Sequence, residues 1–386
     1  MLGSRVPLAW RNLTANPWRL FISISGVTFS VYLMFMQLGF RNAMLDSSIE
    51  FIRLLDGDLF LVSSTKYRMF TADQIPRRRL YQVLAIPDVI SARPLYMEQD
   101  RSMWKNPFDR STHVIRVMAF DPDQPVFLIP EITSHLETLK LPDTVLVDSK
   151  CRSFVGRASP GTRTELARRT VRVIGTFPLG TDFTVDGNVV MSDRNYLKLF
   201  PELDTTLPRL RRVEIGVIKL KPGSDVIAAK AAISSQLPSD VKAFTKREFM
   251  EFEQGYWKEV SPVGTVFAVG ALVGFVVGLV ICYQVLFTDL SDQLPQFGTL
   301  KAIGYGNRYF ERVVLTHALY LSLMSFLLGW VLSYASYWII TRLTGLVMRM
   351  NTMLTVLMLV LTVFMCTIAG GLATRKVVSA DPAEVF

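Results

Sequence analysis

The residues best suited to metal or nucleophile chemistry here are three histidines and three cysteines, and their spacing assembles neither. His113, His135 and His317 lie far apart, with no metal-ligand spacing among them. His317 sits inside an apolar stretch and reads as a structural polar contact near a helix end. Cys151 stands alone in a polar region, while Cys282 and Cys366 fall in apolar ones, so there is no CxxC and no disulfide framework. No Ser-His-Asp set or paired-carboxylate arrangement stands out. No GxxxxGK[ST] occurs, so the glycine-rich cradle and lysine that hold a nucleotide's phosphates are missing from these 386 residues. The residue types point to no catalytic group, no cofactor and no metal. If the chain takes part in energised work, the nucleotide is expected on another chain.

The segments that do carry information are suited to contact. Between Asp289 and Asn307 the chain reads DLSDQLPQFGTLKAIGYGN. Pro295 fits the first turn of a helix and Gly304 its end, giving a helix of roughly two turns along the membrane. Its residues are Gln296, Phe297, Gly298, Thr299, Leu300, Lys301, Ala302, Ile303 and Gly304. Phe297, Leu300 and Ile303 recur every three residues as an apolar stripe, which suits a docking knob for a cytoplasmic partner. Gly270, Gly274 and Gly278 form a doubled GxxxG, which lets helix backbones approach closely in lipid. The N-terminal stretch from Val6 to Leu13 is amphipathic and suits the inner membrane interface, with Trp10 and Trp18 at headgroup depth.

The elements that must position these segments follow from where charge is absent. Leu20–Phe40 carries none in 21 residues, Val260–Thr288 none in 29, Val313–Thr341 none in 29, and Met350–Thr374 none in 25. Crossing a hydrocarbon core of about 30 Å takes roughly 20 helical residues, so all four qualify. The first is too long for a signal peptide and no small-x-small site follows it, so it is expected to remain as an anchor. Net charge is +9, yet Asn42 to Lys258 holds 31 Lys and Arg against 27 Asp and Glu. That near-balance argues against nucleic acid; the runs Arg77–Arg79, Arg168–Arg169 and Arg211–Arg212 read as solvated faces, with contact to lipid headgroups as the sharper alternative.

Arg5, Arg11 and Arg19 precede the first window without an acid, which predicts both termini in the cytoplasm of a multi-pass inner (plasma) membrane protein. The expected layout is a cytoplasmic amphipathic segment over 1–18, a first membrane helix over 19–41, and a periplasmic domain over 42–259. A second helix follows over 260–288, a coupling-helix loop over 289–308, a third helix over 309–341, a short outer loop over 342–350, a fourth helix over 351–374 and a tail over 375–386. In the periplasmic domain, Val- and Ile-rich runs predict strands at Asp58–Ser63, Val114–Phe120, Val171–Thr176, Asn188–Met191 and Glu214–Leu220. Helices are expected at Arg77–Ala85, Ser192–Phe200 and Ser224–Leu237, the last two capped by serines. At the domain's ends, Leu45, Ile49 and Ile52, and again Phe249, Phe252 and Tyr256, recur at helical spacing among charges. They predict that the first two membrane helices continue outward and pair as a stalk. The fold class is thus an α-helical membrane protein with four transmembrane helices and a large α+β extracytoplasmic domain between helices 1 and 2, on a helical stalk.

Taken together these pieces resemble the FtsX/MacB-type (type VII) ABC transporter permease family over essentially the whole chain. Ala9-Trp10-Arg11-Asn12-Leu13, followed by Asn16 and Arg19, is similar to the family's A-x-R-N-L-x-x-N-x-x-R lead into the first helix. Gln296 to Gly304 is similar to its E-I-G-L-L-R-A-L-G coupling segment, with Gln296 where the family has Glu. Ala380-Asp381-Pro382-Ala383-Glu384 is similar to its C-terminal ending. The wording of the coupling segment is most like the DevC-type permeases of cyanobacterial DevBCA exporters. The resemblance implies a homodimer in membrane lipid, a separate DevA-like ABC ATPase, a DevB-like membrane fusion (adaptor) protein, a TolC-like outer-membrane channel, and glycolipid export by mechanotransmission. It also implies two rivals within the family: an FtsX-like regulatory scaffold for an extracytoplasmic hydrolase, and a lipoprotein-releasing permease.

Overall fold

The computed structural model describes residues 17–71, 73–201, 211–292, 303 and 306–378. The chain opens with helix α1 (Pro17–Arg53) and strand β1 (Leu59–Ser63), then β2 (Ile75–Pro76), α2 (Arg78–Val83), β3 (Val89–Glu98), β4 (Met103–Lys105) and β5 (Thr112–Phe120). After two single-turn helices come β6 (Thr144–Asp148), β7 (Arg163–Leu166), β8 (Arg169–Phe177), β9 (Gly187–Ser192) and α3 (Asp193–Leu199). Next are β10 (Arg212–Val213), β11 (Ile215–Leu220), α4 (Val226–Gln236), β12 (Val241–Thr245) and α5 (Lys246–Gly255). Three long helices complete the described chain: α6 (Pro262–Asp292), α7 (Asn307–Thr344) and α8 (Thr352–Val378). Two compact units result, one of residues 1–42, 263–339 and 348–386, the other of residues 43–262 and 340–347.

The first unit is a helical bundle. Helices α1, α6, α7 and α8 are each long and apolar enough to cross a membrane. Small and hydroxyl residues bring them together, as expected where lipid offers no hydrophobic drive. Tyr337 donates its hydroxyl to the Phe35 carbonyl, Tyr32 and Ser336 share a hydrogen bond of 3.1 Å, and Thr28 donates to the Ser325 carbonyl at 3.3 Å, all joining α1 to α7. Gly39 leaves the space that the Tyr337 ring occupies.

The second unit is mixed α and β, built on ten strands in the order β12-β1-β11-β3-β5-β4-β7-β8-β6-β9. A further parallel pairing of β5 with β9 closes the last six strands into a ring, while β12, β1, β11 and the start of β3 form an open antiparallel sheet. The end of β3 pairs with β5 and so joins the open sheet to the closed ring. Strand alternation divides the core in β1: Leu59 and Leu61 face one cluster with α2 and α4, and Phe60 and Val62 face another with the end of α1 and with α5.

Helix caps explain where elements start. Ser192 caps α3 by accepting from the Asn195 amide. In α4 the cap is Asp225, not Ser224, because its carboxylate reaches the amides of both Ile227 and Ala228. One expectation is overturned. Helix α5 does not continue into α6: Tyr256–Val260 forms a wide π turn, and Ser261 is extended at φ −76, ψ 127. Pro262 is the cause, since its ring disfavours helical backbone at the residue before it. The first of the two expected stalk helices is continuous, with α1 running unbroken to Arg53.

Candidate coupling site: helix ends and stalk residues

The expected coupling residues Gln296, Phe297, Gly298, Thr299, Leu300, Lys301, Ala302 and Gly304 lie outside the described residues; Ile303 is described and is exposed. The end of α6, directly before this segment, carries a charge cluster. Arg19, in the first turn of α1, pairs through Nε with Asp289 at 2.7 Å and through Nη1 with Asp292 at 2.5 Å, both in the last turn of α6. Nε2 of His317 on α7 lies 3.5 Å from the Asp289 carboxylate. The cluster joins three helices. Sequence reasoning placed Arg19 only as an inner-flank charge and His317 as a structural contact. The missed signal was that Asp289 closes one charge-free window and Arg19 precedes another, which puts them at the same depth.

Gly270, Gly274 and Gly278 face other helices of the same chain. A Cβ built on Gly270 would stand 2.6 Å from Gln37 Cδ, and one on Gly274 would stand 3.1 Å from Met34 Cγ and 3.5 Å from the Met34 amide nitrogen, both on α1. Gly278 lies against Ser30 of α1 and the Met365 sulfur of α8. The close-packing face thus seats α6 on α1 and α8.

The stalk residues divide. Leu45, Ile49 and Ile52 are all buried on α1. Ile52 shares a core cluster with Phe249 and Phe252 of α5. Phe249 stacks on Phe60 of β1 at 5.4 Å and Phe252 meets Phe244 of β12 at 5.2 Å, so these two rings lie on the open sheet. Tyr256 instead faces the β1–β2 connection, with its ring 5.9 Å from Tyr67 and the Arg68 guanidinium 5.6 Å above it.

That connection is held by buried charge that no pattern announced. Glu253 accepts from the Met69 amide at 2.6 Å and from Trp257 Nε1 at 3.0 Å. Lys66 donates to the carbonyls of Thr71 and Asp73 at 2.9 and 3.2 Å. Glu214 accepts from Gln74 and from the Met97 amide. Burial pushes the Glu214 carboxyl up to about 7 and pulls the Lys66 ammonium down to about 8. Asp148 gathers the amides of Lys150, Leu179 and Gly180 and the Asn188 side chain, and all four donors serve structure. Among the described residues no group of three or more His, Cys, Asp or Glu could hold a metal.

Comparison with known proteins agrees with this layout. Residues 20–236, more than half of the chain, match the model of the MacB-like periplasmic core domain, and residues 268–382 match that of the FtsX-like permease C-terminal region. The sequence matches no curated protein. Among solved structures, the periplasmic region of MacB from Actinobacillus actinomycetemcomitans is 10% identical, with a TM-score of 0.36, covering 51% of this chain and 92% of that one. The extracellular domain of the noncanonic ABC-type transporter YknZ from Gram-positive bacteria is 11% identical, with a TM-score of 0.31, covering 49% of this chain and 99% of that one. With a MacB-like core domain between its first two apolar helices and an FtsX-like region over the remaining three, the chain belongs to the FtsX/MacB-type family of ABC transporter permeases.

Proposed function

We propose that this permease works by mechanotransmission, converting closure of a separate DevA-like ATPase on the cytoplasmic side into movement of its outer domain. The observation that carries this reading is helix α1. It begins in an apolar membrane stretch, runs unbroken to Arg53, and ends with Phe51 and Ile52 in the core of the outer unit. A helix with an intact hydrogen-bond ladder resists axial compression, so displacement at one end is carried to the other. Phe297 and Leu300 of the 296–304 segment are the anchors for the ATPase, and Gly270, Gly274 and Gly278 hold α6 close enough to move with its neighbours.

In the same reading the protein is a homodimer with cytoplasmic termini and a periplasmic outer domain, working with a DevB-like adaptor and a TolC-like outer-membrane channel. Its cargo is a glycolipid taken up on the periplasmic side. Support comes from the wording of residues 296–304 and from the size of the outer domain. Co-purification tests the assembly. Full-length protein co-expressed with a DevA-like ATPase and a DevB-like adaptor should return all three from membranes, and ATP with vanadate should stabilise the complex. Recovery of an extracytoplasmic cell-wall hydrolase in place of the adaptor would reject export in favour of regulation.

A further inference from the structure

We propose that Arg19 is a positioning residue that hands movement of the cytoplasmic end of α6 to helix α1. The inference rests on the coupling reading above and goes beyond it. The segment 293–306 begins directly after Asp292, the last residue of α6, and ends directly before Asn307, the first residue of α7. It is therefore covalently tied to α6 and α7, and not to α1. Yet α1 is the helix that continues without a break to the outer unit. Hydrogen bonds through Thr28, Tyr32 and the Phe35 carbonyl tie α1 to α7 farther along, and the charged link from α1 to α6 lies in the first turn of α1.

Arg19 spans two carboxylates one turn apart on α6, at 2.7 Å to Asp289 and 2.5 Å to Asp292. The Asp289 side chain is 14% exposed, so this pair is poorly screened by water. The planar guanidinium fixes direction as well as distance, which a single charge contact would not. The His317 ring, only 10% exposed, faces Asp289 from α7 at 3.5 Å, so the carboxylate is reached from both helices that flank it. Asp289 is thereby the node at which α1, α6 and α7 meet, four residues before the segment starts. Above this point Gly270, Gly274 and Gly278 of α6 lie against Gln37, Met34 and Ser30 of α1, a close contact without formal charge. The ion pairs resist sliding.

The test uses the full-length chain in nanodiscs with its ATPase. An environment-sensitive fluorophore is placed on a cysteine at Ile22 of α1 or at Val280 of α6, both exposed, with the native cysteines removed. In the wild type, ATP with vanadate should shift both reporters. In Arg19→Gln the α6 reporter should still shift and the α1 reporter should not. Arg19→Lys, which keeps the charge, should keep most of the α1 response. A short thiol cross-linker between cysteines at positions 19 and 292 should restore it without any charge, a rescue that a role in folding alone would not give. If Arg19→Gln fails to insert, Asp289→Asn combined with Asp292→Asn removes the same pairs without stranding a buried acid, and the same loss is expected. A full α1 response in either uncharged variant overturns the inference. A wild-type chain that binds no ATPase overturns the coupling reading and this inference with it.

Discussion

Glu214→Gln should flatten the pH dependence of stability between about pH 4.5 and 7. Glu214 is fully buried, and burial holds its carboxyl up from 4.5 to about 7 against the opposing pull of its bonds from Gln74 and the Met97 amide. At about 1.4 kcal/mol per pH unit, ionising it in the folded protein costs about 3 kcal/mol. The sign follows from linkage. A carboxyl with a raised folded value binds more protons folded than unfolded, so its contribution is complete below 4.5 and lost as pH rises to about 7. Lys66, pulled down from 10.5 to about 8, acts in a higher window: its contribution is present above 10.5 and is lost as pH falls through about 8, so it is constant from about pH 5 to 7 and enters only at the top of the range. Glutamine preserves shape and one acceptor, and the Gln74 amide can turn to meet its new donor. It gives up the attraction to Lys66, so the net gain at pH 8 should be about 2 kcal/mol, or about 4–8 °C in Tm for a unit of this size. Intrinsic tryptophan fluorescence during thermal unfolding of the full-length protein reads it, because Trp104 and Trp257 are buried in this unit. At pH 5 the variant should equal the wild type or fall slightly below it. Parallel Tm curves for the two proteins from pH 5 to 8 would refute the assignment of a destabilising charge to Glu214.

Gly274→Ile should disrupt the membrane unit, because its Cβ would already meet Met34 at 3.1 Å, whereas Gly371→Ala, with nothing within 4 Å, should be neutral or stabilise by up to about 1 kcal/mol; detergent-melting curves separate the two. Phe297→Ala with Leu300→Ala should weaken pull-down of the ATPase by at least about 30-fold, the loss of one apolar anchor of about 2 kcal/mol, while membrane insertion is unchanged. Ile49→Asp puts a charge at a site 3% exposed on α1 and should abolish export while ATP hydrolysis continues, seen by comparing the two assays on the same preparation.

Much of the architecture was legible because membrane crossing imposes a pattern that nothing else imitates. Four charge-free windows predict α1, α6, α7 and α8, and a large insertion falls between the first two. Strands with β-branched runs, such as β5, β8 and β11, were visible for the same kind of reason. Strand β3 was not, since Pro94 and the buried Arg93 break its apolar run, and only Arg93's bonds to Asp56 and the Pro125 carbonyl explain its burial. The stripe on α5 was correctly amphipathic, but its partner was not readable. Phe249 and Phe252 could cover any apolar surface, and which one depends on long-range pairing of β1 with β12. Tyr256 faces Tyr67 and Arg68 for the same reason. The Arg19–Asp289 pair joins residues 270 positions apart; the charge-free windows place both at helix ends of one depth but do not say that they meet.

Mechanotransmission requires that nucleotide bound in the cytoplasm moves the outer domain, and one distance reports on that directly. A spin label at Ile227, exposed on α4, marks the outer unit in each of two copies of the full-length chain assembled with the ATPase in nanodiscs. The account predicts that trapping ATP with vanadate shifts the distance between the two labels by several ångströms, and that Ile49→Asp abolishes the shift. An unchanged distance in the wild type while the ATPase turns over would contradict it.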